Sequence, residues 1–195
     1  CLLNLHKTNF CEKRDNATEK KLWGRARVVA ATSYLMMSKG NLSQRLIHQL
    51  KYNGKTEIGT YFGRRMGTQL AASTDFSQID LIIPVPLHKK KQRKRGYNQN
   101  HFIANGIAER MNIKTEFELL YKTESNESQT RKSRFARWTN VETAFALKDE
   151  NALIGKSILL VDDVITTGST LEACISKMEQ IPGVKIYLAT LACTQ

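Results

Sequence analysis

The run Ile158-Leu-Leu-Val161 is the most apolar strand-like segment of the chain, and it leads straight into two acids, a run of hydroxyls with one glycine, and an amphipathic helix. Four consecutive apolar residues without polar alternation describe a strand buried on both faces, and such a strand needs a sheet covered by helices on each side. The rest of the chain supplies the partners. Arg27 to Met37 is apolar and rich in small and β-branched residues, and Ile79 to Ile83 is a short apolar run stopped by Pro84 and Pro86. Thr115 to Tyr121 alternates with Phe117, Leu119 and Tyr121 on one side, and Val184 to Leu191 forms the last strand. Helical faces separate these strands: Leu42, Leu46, Ile47 and Leu50; Ile58, Phe62, Met66 and Leu70; Ile103, Ala104, Ile107, Ala108 and Met111; Leu171, Cys174, Ile175 and Met178. Asn41 with Gln44 caps the first helix, Asn53-Gly54 ends it, and Pro182-Gly183 ends the last. Alternating strands and helices predict an α/β fold, a mostly parallel sheet with helices on both faces. Ligands of such folds sit at the carboxyl ends of the strands.

The 195 residues, 41% of them hydrophobic, suffice for one core of ordinary domain size. No apolar run approaches the roughly eighteen residues of a membrane span, and no apolar stretch near the start resembles a secretory signal, so the expected setting is cytoplasmic, with no membrane partner. Thirty Lys and Arg against eighteen Asp and Glu give a formal charge of +12. The excess is local: six of seven residues from Lys89 to Arg95 are basic, as are four of seven from Arg131 to Arg137. Without these ten the body is close to neutral, so the anionic partner belongs to two short segments.

Ile158 to Thr170 carries the chemistry. Asp162 and Asp163 emerge from a buried strand, and Thr166, Thr167, Gly168, Ser169 and Thr170 then enter a helix. Backbone N–H groups at a helix start, with these hydroxyls, form a cradle for a phosphate dianion, and Gly168 admits close approach. Two carboxylates beside that cradle repel phosphate but suit vicinal hydroxyls or a magnesium ion. Together they describe a sugar phosphate. No GxxxxGK[ST] loop is present, so a Walker-type nucleotide site is not supported. Lys122 to Thr143 is a long polar, basic stretch of the kind that is functional or disordered in compact domains.

At these residues the chain resembles the type I phosphoribosyltransferases, whose signature is a strand, two acids and a TTG-type loop. VPLHKKKQRKRGYNQ (Val85 to Gln99), LIHQLKYNGK (Leu46 to Lys55) and QTRKSRFARWTNVETAF (Gln129 to Phe145) narrow the resemblance to the amidophosphoribosyltransferase-like ComF family. The resemblance implies that Asp162 and Asp163 hold the ribose hydroxyls of 5-phosphoribosyl 1-pyrophosphate (PRPP), directly or indirectly with Mg²⁺, and that Thr166 to Thr170 hold its 5-phosphate. It further implies a pyrophosphate loop containing Pro86, Leu87, His88, Lys89 and Arg95, and a small hood whose loop carries Arg131, Arg134 and Arg137. Purine-salvage members have an acid where Thr166 stands, which disfavours a 6-oxopurine acceptor and leaves an unidentified nitrogen nucleophile.

Residues 1–40 read as an irregular lead-in and a strand, and 41–195 as the phosphoribosyltransferase-like domain. Cys1 and Cys11, with His6 between them, do not complete a zinc set, and the resemblance implies that Cys1 and Cys11 are what remains of the Cys-rich module that often precedes the domain in this family. Two functions follow: an Mg²⁺-dependent enzyme using PRPP, or an accessory or regulatory protein that binds single-stranded DNA through its basic segments, as the competence association of the family implies. The oligomeric state is left open, a dimer among the options.

Overall fold

Every strand of the central sheet in the computed structural model is parallel to its neighbours, and the apolar runs explain why. The structure describes residues 5–123 and 144–194. The sheet contains β1 (Ala30–Met37), β2 (Leu81–Pro84), β3 (Lys114–Thr115), β6 (Ser157–Ile165) and β7 (Lys185–Thr194), in the order β1-β7-β6-β2-β3. β4 (Leu120–Lys122) and β5 (Phe145–Leu147) form a separate antiparallel pair. The helices are α1 (Ala17–Lys20), α2 (Leu42–Tyr52), α3 (Thr56–Ala72), α4 (Lys89–Arg95), α5 (Gln99–Met111) and α6 (Ser169–Met178).

Alternation along β6 divides its side chains between two cores. Leu159 and Val161 join Ile47 and Leu50 of α2, Phe62 and Met66 of α3, and Ile103 and Ile107 of α5. Ile158 and Leu160 join Leu171, Cys174 and Met178 of α6, together with Leu120 and Phe145 of the small hairpin. The sheet is thus covered on both faces, as the sequence predicts. Among the described residues no helix is long and apolar enough to cross a membrane.

The structure corrects three expectations. The lead-in is not wholly irregular: a 3-10 turn at Phe10–Glu12 and the short α1 pack onto β1, and Leu22 is fully buried. Asn16 makes this possible by accepting from the amides of Thr18 and Glu19 while its own amide donates to Ala31 O at 2.8 Å. A hydroxyl row, Thr18 to Ser33 to Thr190, with 2.6 Å at each step, continues the tie across β1 into β7. Secondly, the basic run is α4, a helix with no buried residue, because the His88 side chain caps its start and Gly96, at φ 82°, its end. Thirdly, Thr115 to Tyr121 is not one strand. β3 ends at Thr115, and Leu120 and Tyr121 belong to the hairpin, since one alternating pattern serves either sheet.

Cys11 lies in the core, where burial raises its thiol pKa, so it is packed as an apolar residue. Cys1 lies outside the described residues.

Candidate functional site

β2 and β6 run side by side, Pro84 opposite Val161, so the turn after Pro84 and the end of β6 open on the same side of the sheet. A cleft of about 530 Å³ lies there, lined by Pro86, Leu87, His88, Asp162, Asp163 and Thr166, among others. A cavity of similar size, about 570 Å³, lies at the opposite, amino ends of β1 and β7 beside Trp23, and none of the sequence-predicted site residues lines it.

Asp162 and Asp163 lie inside β6, not in a turn beyond it, and are only 8% and 4% exposed. Adjacent strand residues point to opposite faces, and the two carboxylates accordingly meet different partners. Asp163 pairs with Lys51 Nζ of α2 at 2.9 Å and accepts a hydrogen bond from the Gln99 side-chain amide. Gln99 Oε1 in turn accepts from Arg95 Nη1 at 2.8 Å, and that guanidinium lies 4.8 Å from the Tyr52 ring centroid. Asp162 Oδ1 accepts from Asn100 Nδ2 and from the Asp163 amide, each at 2.9 Å. Asn100 Nδ2 also donates to Val85 O, which leaves its own buried Oδ1 without a partner.

Burial, and then the Asp163 carboxylate beside it, push the Asp162 pKa up to about 7; the Asp163 amide, Asn100 and Lys51 act in the opposite direction. Of the two buried acids Asp163 has an ammonium at hydrogen-bond distance while Asp162 is met by amides, so the site favours a further cation or hydroxyl donors. Hard oxygen donors, two carboxylates and the orphaned Asn100 Oδ1, fit Mg²⁺. Among the described residues no cluster of three or more His, Cys, Asp or Glu could hold a metal ion. Water and substrate oxygens would therefore complete its shell.

Replacing Lys51 with Met is expected to destabilise the protein by about 2 kcal/mol at pH 8, a value discounted for the partial exposure of the pair. The loss should shrink at pH 5, where Asp162 is protonated. Equal urea midpoints for wild type and variant at pH 8 would show that the ion pair contributes nothing.

The 166–170 loop follows β6 directly. Gly168 adopts φ 84°, a left-handed conformation in which glycine carries no Cβ penalty, and it is buried, while Thr166, Thr167, Ser169 and Thr170 are exposed. Thr166 and Thr170 line the cleft. Across from them His88 lines the wall, although its Nδ1 is occupied in capping α4, at 3.2 Å from Lys90 N. Lys89 begins that helix, and Lys91 and Arg95 line the cleft. Lys122 lines it from the hairpin, its pKa lowered by burial and then by the Lys91 charge. Two cations that raise each other's free energy at a cleft wall are relieved by an anion between them. Arg131, Arg134, Arg137 and the aromatics Phe135 and Trp138 lie outside the described residues.

Sequence reasoning missed Lys51, Gln99, Asn100 and Lys122 as site residues. The first three stand within LIHQLKYNGK and just after RGY in a helix-capping NQN run, but nothing in the pattern says that α2 and α5 begin or end against β6. His48 lines the cleft and packs against Tyr52 in a tilted arrangement, ring centroids 4.8 Å apart. His101 packs on Phe117, and burial lowers its pKa.

Residues 102–193 match the profile of the phosphoribosyl transferase domain. The DNA utilization protein YhgH of Escherichia coli (strain K12) is 30% identical over 128 residues, which cover 64% of this chain and 56% of that protein. Competence protein F of Haemophilus influenzae is 31% identical over 144 residues, 72% of this chain and 62% of the relative. Competence protein ComFC of Bacillus subtilis is 29% identical over 136 residues, covering 67% and 51%. The matches thus span between half and two thirds of the length of these relatives. Among solved structures, glutamine phosphoribosylpyrophosphate (PRPP) amidotransferase from B. subtilis, complexed with ADP and GMP, superposes with a TM-score of 0.51 at 17% identity, over 74% of this chain and 30% of the other, a likeness of fold. The parallel sheet with its acids and hydroxyl loop, the matched domain and the competence relatives all agree: the chain carries a phosphoribosyl transferase domain and is similar to the ComF-type competence proteins.

Proposed function

We propose that this protein binds PRPP with Mg²⁺ and transfers the phosphoribosyl group to a nitrogen nucleophile, releasing pyrophosphate. The carrying observation is that the paired buried acids, Thr166 and Thr170 of the hydroxyl loop, and the cations Lys51, Lys91, Arg95 and Lys122 line one cleft. In this reading Asp162 and Asp163 accept hydrogen bonds from the two ribose hydroxyls, and Thr166 to Thr170 with the first turn of α6 hold the 5-phosphate. The sugar is then fixed at both ends, which places its anomeric carbon between the β6 acids and the basic wall. Lys91, Arg95 and Lys122, with Pro86 to Lys89 shaping the turn, stabilise the charge that develops on departing pyrophosphate. Bound Mg²⁺ would supply electrostatic stabilisation of the pyrophosphate oxygens. The side chain of Thr166 has no acid–base function near neutral pH, so the nucleophile must arrive with a lone pair already available or lose its proton elsewhere.

Titration of the protein with PRPP and Mg²⁺ in a calorimeter should give saturable heat, with a rise in thermal midpoint that grows with ligand concentration. No heat and no shift would remove the reading.

A second reading, binding of single-stranded DNA, is favoured by α4, which has no buried residue, and by the names of the relatives from E. coli and H. influenzae. Its affinity should fall steeply as salt rises, by several-fold for each doubling of salt if four or more phosphates are neutralised, and PRPP should compete if both ligands use the cleft. Binding that ignores salt would argue against a role for the basic helix.

A further inference from the structure

We infer that Arg25 is a positioning residue for the phosphate loop: from the far side of that loop it fixes the peptide between Thr167 and Gly168, and so sets the affinity for a sugar phosphate monoester. The inference rests on the 5-phosphate reading of residues 166–170.

Arg25 belongs to the lead-in, more than a hundred residues from the loop in sequence. Its Nη1 donates to Thr167 O at 2.5 Å and to Lys21 O at 3.4 Å. Its Nη2 donates to Ser169 Oγ at 3.3 Å and pairs with the Glu172 carboxylate. Within a trans peptide the C=O and the following N–H point in opposite directions. Holding Thr167 O against the guanidinium therefore turns the Gly168 N–H away from the lead-in. The loop rests directly on this segment, because a Cβ on Gly168 would lie 3.2 Å from both Lys21 O and Leu22 Cδ2. Without its fork of donors the peptide could rotate, and the N–H would leave the cradle.

Charge adds a second effect. Glu172 stands in the first turn of α6, where an unpaired carboxylate would repel a phosphate dianion at the helix start. Arg25 cancels that charge while remaining 37% exposed, so the pair itself contributes little to folding. Tertiary stability and phosphate affinity should therefore separate in variants.

Arg25→Gln and Arg25→Lys are to be titrated with ribose 5-phosphate and, separately, with pyrophosphate. The expected result for Arg25→Gln is a loss of about tenfold or more in ribose 5-phosphate affinity, the scale of one charge-assisted contact set. Pyrophosphate affinity should stay within about twofold of wild type and the thermal midpoint within a few degrees. Arg25→Lys, which keeps the charge beside Glu172 but offers no planar fork, should recover part of the loss. Unchanged ribose 5-phosphate affinity in Arg25→Gln, or an equal loss for both ligands, overturns the inference. Failure of the wild-type protein to bind ribose 5-phosphate overturns the underlying reading, and the inference with it.

Discussion

Gly63→Ala should destabilise the protein by about 3 kcal/mol or more, although glycine to alanine within a helix ordinarily stabilises by up to about 1 kcal/mol. Gly59, Gly63 and Gly67 recur every four residues along α3 and form one face, and Gly106 of α5 meets it. A Cβ on Gly63 would stand 2.3 Å from Ile103 O and 3.0 Å from Gly106 Cα. One on Gly106 would stand 2.5 Å from Thr60 O and 2.7 Å from Arg64 N. These are backbone atoms, so no side-chain rotation relieves the overlap, and the two helices must separate. The consequence reaches the site, because α5 begins with Gln99 and Asn100, the partners of the paired acids. Urea denaturation measures the stability, and the PRPP titration of the same variant measures the site. A stability equal to wild type, or higher, would show that α3 and α5 do not approach this closely.

Asp162→Asn should have the opposite effect on stability and remove binding. A carboxyl whose pKa rises from 3.8 unfolded to about 7 folded binds a proton more tightly in the native state. Its stability contribution is therefore greatest at low pH and is lost as pH climbs from about 4 through 7, after which it is constant. About three pH units of difference correspond to a ceiling of about 4 kcal/mol, of which roughly 2 to 4 should be recovered by the neutral amide at pH 8. At pH 4 the two proteins should differ little. PRPP should no longer give saturable heat with Asp162→Asn, nor with the double replacement Asp162→Asn and Asp163→Asn. Denaturation midpoints of wild type and Asp162→Asn measured at pH 4, 6 and 8 test the sign: a gap that does not widen with pH means that the carboxylate is not held under strain.

The strain has a functional sense. Two adjacent acids in the buried part of a strand reduce the stability of the empty site, and a ligand that supplies hydroxyls or a cation to them recovers that free energy on binding. Lys51 does part of this in the free protein, which makes its ammonium a competitor or an aid to the incoming ligand according to where it moves.

What could be read from the residues follows from periodicity. The apolar runs of β2, β6 and β7 and the four-residue recurrences of α2, α3, α5 and α6 all appear where the pattern puts them, because burial on two faces leaves few other solutions. The β6 to α6 segment also located the acids and the hydroxyl loop, since a glycine with positive φ between a strand and a helix is written locally. The lead-in escaped because its polar residues are buried by specific hydrogen bonds: Asn16 and Thr18 carry no apolar signal, yet both are enclosed. The basic run escaped as a helix because seven residues without an apolar face give no period, and only the caps at His88 and Gly96 define it.

The sequence by itself determined the parallel α/β class, the order of its chemistry and the location of the charge excess, because backbone periodicity and short loop motifs are local properties. Tertiary structure alone decided which distant groups serve the site. Lys51, Gln99 and Asn100 reach Asp162 and Asp163 only because close glycine contacts and parallel strand order bring α2 and α5 to the end of β6. Arg25 reaches Thr167 only because Leu22 is buried beneath the loop. Contacts of that range depend on how packed elements meet, and no spacing along the chain encodes them.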